Sequence, residues 1–279
     1  MIVLAGLAAS FYSHRVFNVT DAVLVLAGAL LTHASVNAFN NYFDYRSRID
    51  EKTSKTPFSG GVDTLVKGHM KPSAAFAVGL ICLIGAALIG TYFLSRLFNA
   101  LLPLVVYGGL VIVLYTPVLS RVHALSEIVA GSGFGLMGLG VYVTQAGVID
   151  ATGIAIFVPV TILVALLLFL NEFPDAEVDK LGGRRHIVIL LGKRRSAWLY
   201  VAGLTATYLS ILVAVSVGAA PTAVLLSLVT IPIAYKASRI TLKSYDRSSD
   251  LVPALGSNIL VILLTILLMA GGFAIASYV

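Results

Sequence analysis

The stretch IFVPVTILVALLLFLNEFPDAEVDK (Ile156–Lys180) runs from an unbroken apolar segment into four carboxylates, Glu172, Asp175, Glu177 and Asp179. Its first part has the length and composition of a bilayer-crossing helix, and its second part sets negative charge against that helix's end. Similar apolar stretches recur along all 279 residues. The chain is 58% hydrophobic and 11% charged, with mean hydropathy +0.96, whereas soluble domains carry about 25% charged residues. Crossing a hydrocarbon core of about 30 Å takes roughly 20 apolar residues. The expected fold is therefore all-α: a polytopic membrane protein, one transmembrane domain over residues 1–279.

About nine transmembrane helices fit, at roughly 1–13, 21–43, 73–94, 98–119, 124–144, 153–173, 196–217, 220–240 and 253–278. The start, MIVLAGLAASFY, has no basic leader and no small-residue cleavage site, and reads as a short first helix rather than a signal peptide. The only cysteine, Cys82, lies in an apolar run and reads as a small buried hydrophobe.

Basic residues set the orientation. One series of loops carries Arg46, Arg48, Lys52, Lys55, Lys67, Lys71, Arg121, Lys180, Arg184, Arg185, Lys193, Arg194, Arg195, Lys236, Arg239, Lys243 and Arg247; the other carries only Arg15 and Arg96. The positive-inside rule places the first series in the cytoplasm. In a cell-membrane protein of nine spans, the N-terminus is then inside and the C-terminus outside. The net charge of +6 is a topology signal. No nucleic-acid motif accompanies it, and no protein partner is indicated.

The acids are equally one-sided, since only Asp21 and Asp150 fall on the outer side. The second and sixth spans end alike, in NAFNNYFDYRSRID and LNEFPDAEVDK. Asn40 and Asp44 are four residues apart, as are Asn171 and Asp175, and a further acid follows each pair: Asp50 and Asp179. Residues at i and i+4 share a helix face, so each pair forms a polar stripe at the cytoplasmic mouth. Pro174 is placed to interrupt the second helix and re-aim Asp175. Asp50 reaches the first stripe only if that helix has ended. One such stripe is as readily a solvated helix end; two with the same spacing point to a duplication, two related four-helix units facing each other across a central cavity. Grouped hard oxygen donors of this kind suit Mg²⁺, which binds through a few carboxylates plus substrate phosphates. There is no zinc-spaced Cys/His set and no Walker loop.

At these residues the sequence resembles the UbiA superfamily of intramembrane prenyltransferases. The family's first motif is matched by Asn40-Asn41-Tyr42-Phe43-Asp44 with Asp50, and its second by Asp175-Ala176-Glu177-Val178-Asp179. The likeness extends through KTPFSGG (Lys55–Gly61), LYTP (Leu114–Pro117), Leu125-Ser126-Glu127 and GGRRHIVILLG (Gly182–Gly192). NYFDY, TPFSGG and the second motif look most like the menaquinone-pathway branch and its archaeal relatives. Four departures stand out: Asn41 for a usual Asp, Arg48 at a motif Asp position, His186 for a common Thr and Leu190 for a common Arg.

The resemblance implies Mg²⁺-dependent transfer of a prenyl group from an isoprenyl diphosphate to a lipophilic or aromatic acceptor, a quinone precursor in the branch named. Asn40, Asp44, Asn171, Asp175 and Asp179 would hold two Mg²⁺ ions. Lys52, Lys55, Arg184 and Arg185 would neutralise the remaining phosphate charge, or else serve only as topology determinants. Asp50 is a candidate base or metal ligand, and Tyr115 and Glu127 candidates for positioning the acceptor. Tyr115 reads equally well as an interfacial anchor, while a carboxyl just inside a span, as at Glu127, is usually functional. The small residues of GSGFGLMGLG (Gly131–Gly140) either allow close helix packing or leave room for the tail. Two rival readings remain: prenyl transfer to an archaeal lipid glycerol phosphate, and a secondary transporter, the latter disfavoured because the acids sit at one surface rather than at the midplane.

Overall fold

Apolar segments that must satisfy every backbone hydrogen bond internally become helices. The computed structural model describes residues 1–47 and 64–279, and among these the regular structure is helical. The elements are α1 (Ile2–His14), α2 (Val19–Ser47), α3 (Pro72–Leu114), α4 (Leu125–Ala146), α5 (Ala151–Leu181), α6 (Ile187–Leu191), α7 (Lys193–Ser216), α8 (Ile231–Ser244) and α9 (Ser248–Ala276). Two 3₁₀ segments, Leu119–Arg121 and Thr222–Thr230, precede α4 and α8. Seven helical stretches are long and apolar enough to cross a membrane, counting Thr222–Ser244 as one. The chain is an all-α polytopic membrane protein.

The element boundaries differ from expectation at three places. The third and fourth expected spans follow each other without a loop: the 43 residues of α3 are two helices that meet at a kink at Leu97 (φ −132°, ψ 42°). At about 1.5 Å per residue a straight helix of that length would reach about 65 Å, twice the bilayer core. The bend falls where the sequence reading put a loop. Pro174 does not interrupt α5, which continues to Leu181 and carries the whole second motif in helical form. A proline there removes the N–H that would bond the Leu170 carbonyl, but the turns on either side hold. Ahead of α8, Pro221 and Pro232 bracket a 3₁₀ stretch.

α2 packs along α3, α4 packs along α5, and α7, α8 and α9 close the other side. α1 lies against α4, α9 and α5. The core is densest around α5, α7 and α9, where Phe173, Tyr200, Leu255, Met269 and Phe273 are fully buried. The small residues of α4 differ by face: one face packs closely and the other lines a cavity. A methyl group added at Gly135 would lie 2.0 Å from Thr161 Oγ1, and one at Gly131 2.4 Å from the Thr161 carbonyl oxygen, so this face is where α4 presses on α5. Gly140 on the other face meets nothing within 4 Å. With Gly133 it lines an apolar cavity of about 240 Å³ between α2, α3 and α4, shared with Gly28, Gly90 and Gly108.

One end of the bundle is tied by polar contacts. The buried Asp21 carboxylate accepts from Arg96 at 2.8 and 2.9 Å and from Tyr92 Oη at 3.0 Å. Asp150 caps α5 through the Thr152 and Gly153 amides, accepts from Tyr142 Oη at 2.7 Å, and meets His14 Nε2 at 2.9 Å. Gln145 and Asn18 bond each other, and Arg15 donates to the Ser277 carbonyl.

Candidate functional site

The opposite end gathers the acidic helix termini. Asn40 and Asp44 share a face of α2, one turn apart; Asn171, Asp175 and Asp179 descend α5 at the same interval. Asn40 is oriented by Thr116, whose hydroxyl donates to Asn40 Oδ1 at 2.9 Å. Asp44 and Asp179 are buried, at 8% and 2% exposure. Asn171 and Asp175 are partly buried.

Arg184 joins the two stripes. It donates to Asp44 Oδ1 at 2.7 Å and to Asp179 Oδ1 at 3.2 Å. The local sequence explains how it gets there. Gly183 adopts a left-handed conformation (φ +83°) just past α5, and the Arg184 amide returns to the Asp179 carbonyl at 2.9 Å. This is a helix-terminating turn that glycine favours, and it reverses the chain so that Arg184 points back into the mouth. Burial works against the guanidinium charge, but the Asp44 and Asp179 carboxylates outweigh it and hold the Arg184 pKa above its ordinary value. A cleft of about 230 Å³ opens beside this clasp, lined by Asp44, Thr116 and Ser120 together with Arg46, Arg121 and Arg184. Three guanidinium groups around one cleft suit a phosphate-bearing ligand. Arg46 and Arg121 entered the sequence reading only as topology signals.

The oxygens left over fit a hard cation. Asp175 Oδ1 is buried with no hydrogen-bond partner among the described residues, and such an atom is costly unless something else meets it. Asp175, Asp179, Asp44 and the Asn40 carbonyl are all oxygen donors, the set Mg²⁺ prefers.

The remaining candidates divide. Tyr115, at the end of α3, lies within electrostatic reach of Glu172, Glu127, Asp44 and Arg184. Glu127 is buried at 2% exposure; its Oε1 accepts from the Ile187 amide at 2.7 Å and its Oε2 from Ser126 at 2.6 Å. Arg185 is exposed, its Nη1 3.5 Å from His123 Nε2, outside the carboxylate group. Asp50, Lys52 and Lys55 lie outside the described residues. The sequence reading missed two buried neighbours. Glu172 sits seven residues before Asp179, hence on the same face of α5, and His186 lies between them, Nδ1 3.5 Å from Glu172 Oε2 and Nε2 3.4 Å from Asp179 Oδ2. Glu172 was legible as a carboxyl next to a motif position; nothing in the local pattern places His186 there.

Comparison with known proteins adds the lineage. Residues 1–259 match the model of the UbiA prenyltransferase family. The chain belongs to that family. A Bacillus subtilis relative, 1,4-dihydroxy-2-naphthoate octaprenyltransferase, is 31% identical over 212 residues, which cover 72% of this chain and 65% of that protein. The chain thus spans just under two thirds of the bacterial relative's length. The human UbiA prenyltransferase domain-containing protein 1 is 28% identical over 242 residues, 84% of this chain and 68% of its own. Among solved structures, a UbiA homologue from Aeropyrum pernix K1 superposes with TM-score 0.75 at 19% identity, over 100% of this chain and 98% of that one. A UbiA homologue from Archaeoglobus fulgidus, bound to DMAPP and Mg²⁺, gives TM-score 0.57 at 14% identity, over 96% and 94%. At these identities the structures establish the shared fold.

Proposed function

We propose that the chain is a Mg²⁺-dependent prenyltransferase that moves an isoprenyl group from its diphosphate to an aromatic acceptor, a quinone precursor, at the cytoplasmic mouth of the bundle. The observation that carries this is the convergence of two acidic helix ends on one arginine, with a phosphate-sized basic cleft alongside. Family membership and the likeness to a dihydroxynaphthoate octaprenyltransferase favour the reaction class and the aromatic acceptor.

The reaction breaks the allylic C–O bond, leaves diphosphate, joins the prenyl carbon to the acceptor ring and releases a ring proton. Asn40, Asp44, Asn171, Asp175 and Asp179 would hold Mg²⁺, as two ions on this reading, and the metal would supply positive charge to stabilise the departing diphosphate. Thr116 holds Asn40 in the orientation a ligand needs. Arg184, with Arg46 and Arg121 around it, meets phosphate oxygens. The apolar cavity between α2, α3 and α4 offers the tail a dry place, and dryness matters because water would trap an allylic cation. Tyr115, within electrostatic reach of the acids, is the candidate for positioning the acceptor, whereas Glu127, 2% exposed and held by Ser126 and the Ile187 amide, would support the site from behind without touching the acceptor; Asp50, Lys52 and Lys55 remain candidates on the segment outside the described residues. The basic asymmetry orients the mouth toward the cytoplasm of a cell-membrane protein, with the N-terminus inside and the C-terminus outside.

Purified protein with Mg²⁺, labelled geranylgeranyl diphosphate and a panel of aromatic and glycerol-phosphate acceptors tests the reading. Transfer should depend on Mg²⁺ and vanish in Asp44→Ala and in Asp175→Ala. Near-normal transfer in either variant, or diphosphate release without metal, refutes it.

A further inference from the structure

Behind the Arg184 clasp, the acids are not balanced by cations. Glu127 and Glu172 are 2% and 6% exposed, and among the described residues neither meets an arginine or a lysine. Two carboxyl groups buried at the edge of a membrane span are costly as anions, and either a shared proton or a positive charge must relieve them. Arg184 is already engaged by Asp44 and Asp179. The remaining nearby group is His186, 1% exposed, and both of its ring nitrogens lack a hydrogen-bond partner. Glu172 Oε2 lacks one too. One ligand atom each from Glu127, Glu172 and His186 lies within 4.8 Å of the others.

The three side chains come from separate places: the first turn of α4, the α5 helix and the residue before α6. Each is held. Glu127 is fixed by Ser126 and by the Ile187 amide, and Ser126 also reaches Glu172 Oε1 at 3.4 Å. The group is too buried to admit an organic substrate; Glu172 Oε2 and both His186 nitrogens lack partners, while the two Glu127 oxygens each accept one hydrogen bond and keep further lone pairs for an ion. The donor set differs from the all-oxygen set at the mouth. An imidazole nitrogen with two carboxylates suits first-row transition ions such as Zn²⁺ or Mn²⁺, whereas Mg²⁺ keeps to oxygen and water.

We propose that Glu127, Glu172 and His186 bind a single divalent transition-metal ion, separate from the Mg²⁺–diphosphate site. The ion balances both carboxylates and pins α4, α5 and the His186 segment together directly behind Arg184. This site does not depend on prenyl transfer being the reaction.

Tag-free full chain, stripped with a chelator and equilibrated with micromolar Zn²⁺ in millimolar Mg²⁺, tests it by counting metal per chain after desalting. One Zn²⁺ per chain is expected, with affinity reduced about a hundredfold in Glu172→Gln and in His186→Gln, the effect of losing one of the few ligands of such a site, and unchanged in Asp44→Asn. No Zn²⁺ in the wild type overturns the proposal. Zn²⁺ that Mg²⁺ displaces, or that Asp44→Asn loses and His186→Gln retains, also overturns it by moving the ion to the mouth. Should the variants not fold, pulsed EPR of the wild type loaded with one Mn²⁺ decides: nitrogen coupling from one imidazole is expected, and its absence overturns the site.

Discussion

Replacing Arg184 with Ala removes the cation between Asp44 and Asp179, carboxylates 11% and 3% exposed at their side chains, and leaves Asp179 with only the His186 ring at 3.4 Å. Breaking a buried pair by deleting one partner costs roughly 3–5 kcal/mol. The Arg184 side chain is 22% exposed, so the lower end applies, about 3 kcal/mol. For a chain of this size each kcal/mol corresponds to about 2 °C, so the variant should melt about 6 °C lower in Mg²⁺-free detergent. On the proposed function Mg²⁺ would claim the same oxygens, so the deficit should shrink as Mg²⁺ is added; saturation at about 100 times Kd returns about 2.7 kcal/mol. Mg²⁺ binding without diphosphate should then be tighter in the variant, while a non-hydrolysable diphosphate analogue should bind about tenfold or more weakly, since a charge-assisted hydrogen bond contributes about 1.5–3 kcal/mol. Thermal melting with and without Mg²⁺, and analogue titration, check both signs. A Mg²⁺-free melting point within about 1 °C of wild type, or unchanged analogue affinity, would show that the clasp is not what joins the two halves.

Gly135→Ala should destabilise the protein by about 1–3 kcal/mol or more through overpacking against Thr161, whereas Gly140→Ala, with nothing within 4 Å, should leave melting unchanged; equal effects would mean that α4 has no tight side. At Asp150, burial pushes the carboxyl pKa up, but Tyr142, the Gly153 amide and His14 outweigh it and hold it below its ordinary 3.8. A depressed carboxylate stabilises the fold above its unfolded value and loses that contribution as pH falls through the folded one. Wild type should therefore lose melting temperature below about pH 4 more steeply than Asp150→Asn, and parallel profiles would exclude this group. In a Cys82→Ser background, cysteine at Lys180 should label from the cytoplasm and cysteine at Val148 from outside; the reverse would invert the proposed orientation.

Much of this was legible in sequence because it is local. The length of the apolar runs requires helices, and the four-residue interval from Asn40 to Asp44 and from Asn171 to Asp175 requires shared faces, whatever else the chain does. Pro174 misleads because proline's effect is judged one residue at a time, while α5 is held by packing along its whole length. Which of two adjacent arginines faces the acids cannot be read from their order. It is decided by the left-handed turn at Gly183, which aims Arg184 inward and leaves Arg185 beside His123. Glu172 and His186 meet through a reversal of the chain after α5 that no periodicity encodes. The glycines of α4 show the same limit: their composition is plain, but the division into a face against Thr161 and a face toward the cavity exists only once α3 and α5 are in place.

The polar ties at the end of the bundle away from the acids make that end a pivot. Asp21, fixed to Arg96 and Tyr92, and Asp44, held by Arg184, stand on the same helix 23 residues apart, or about 35 Å at 1.5 Å per residue. With one end anchored, α2 is a lever. A tilt of only about 5° over that arm carries Asp44 sideways by about 3 Å, comparable with its 2.7 Å reach to Arg184. A small angular change at the laced end therefore becomes the difference between a shut clasp and an open one, without any helix having to unpack.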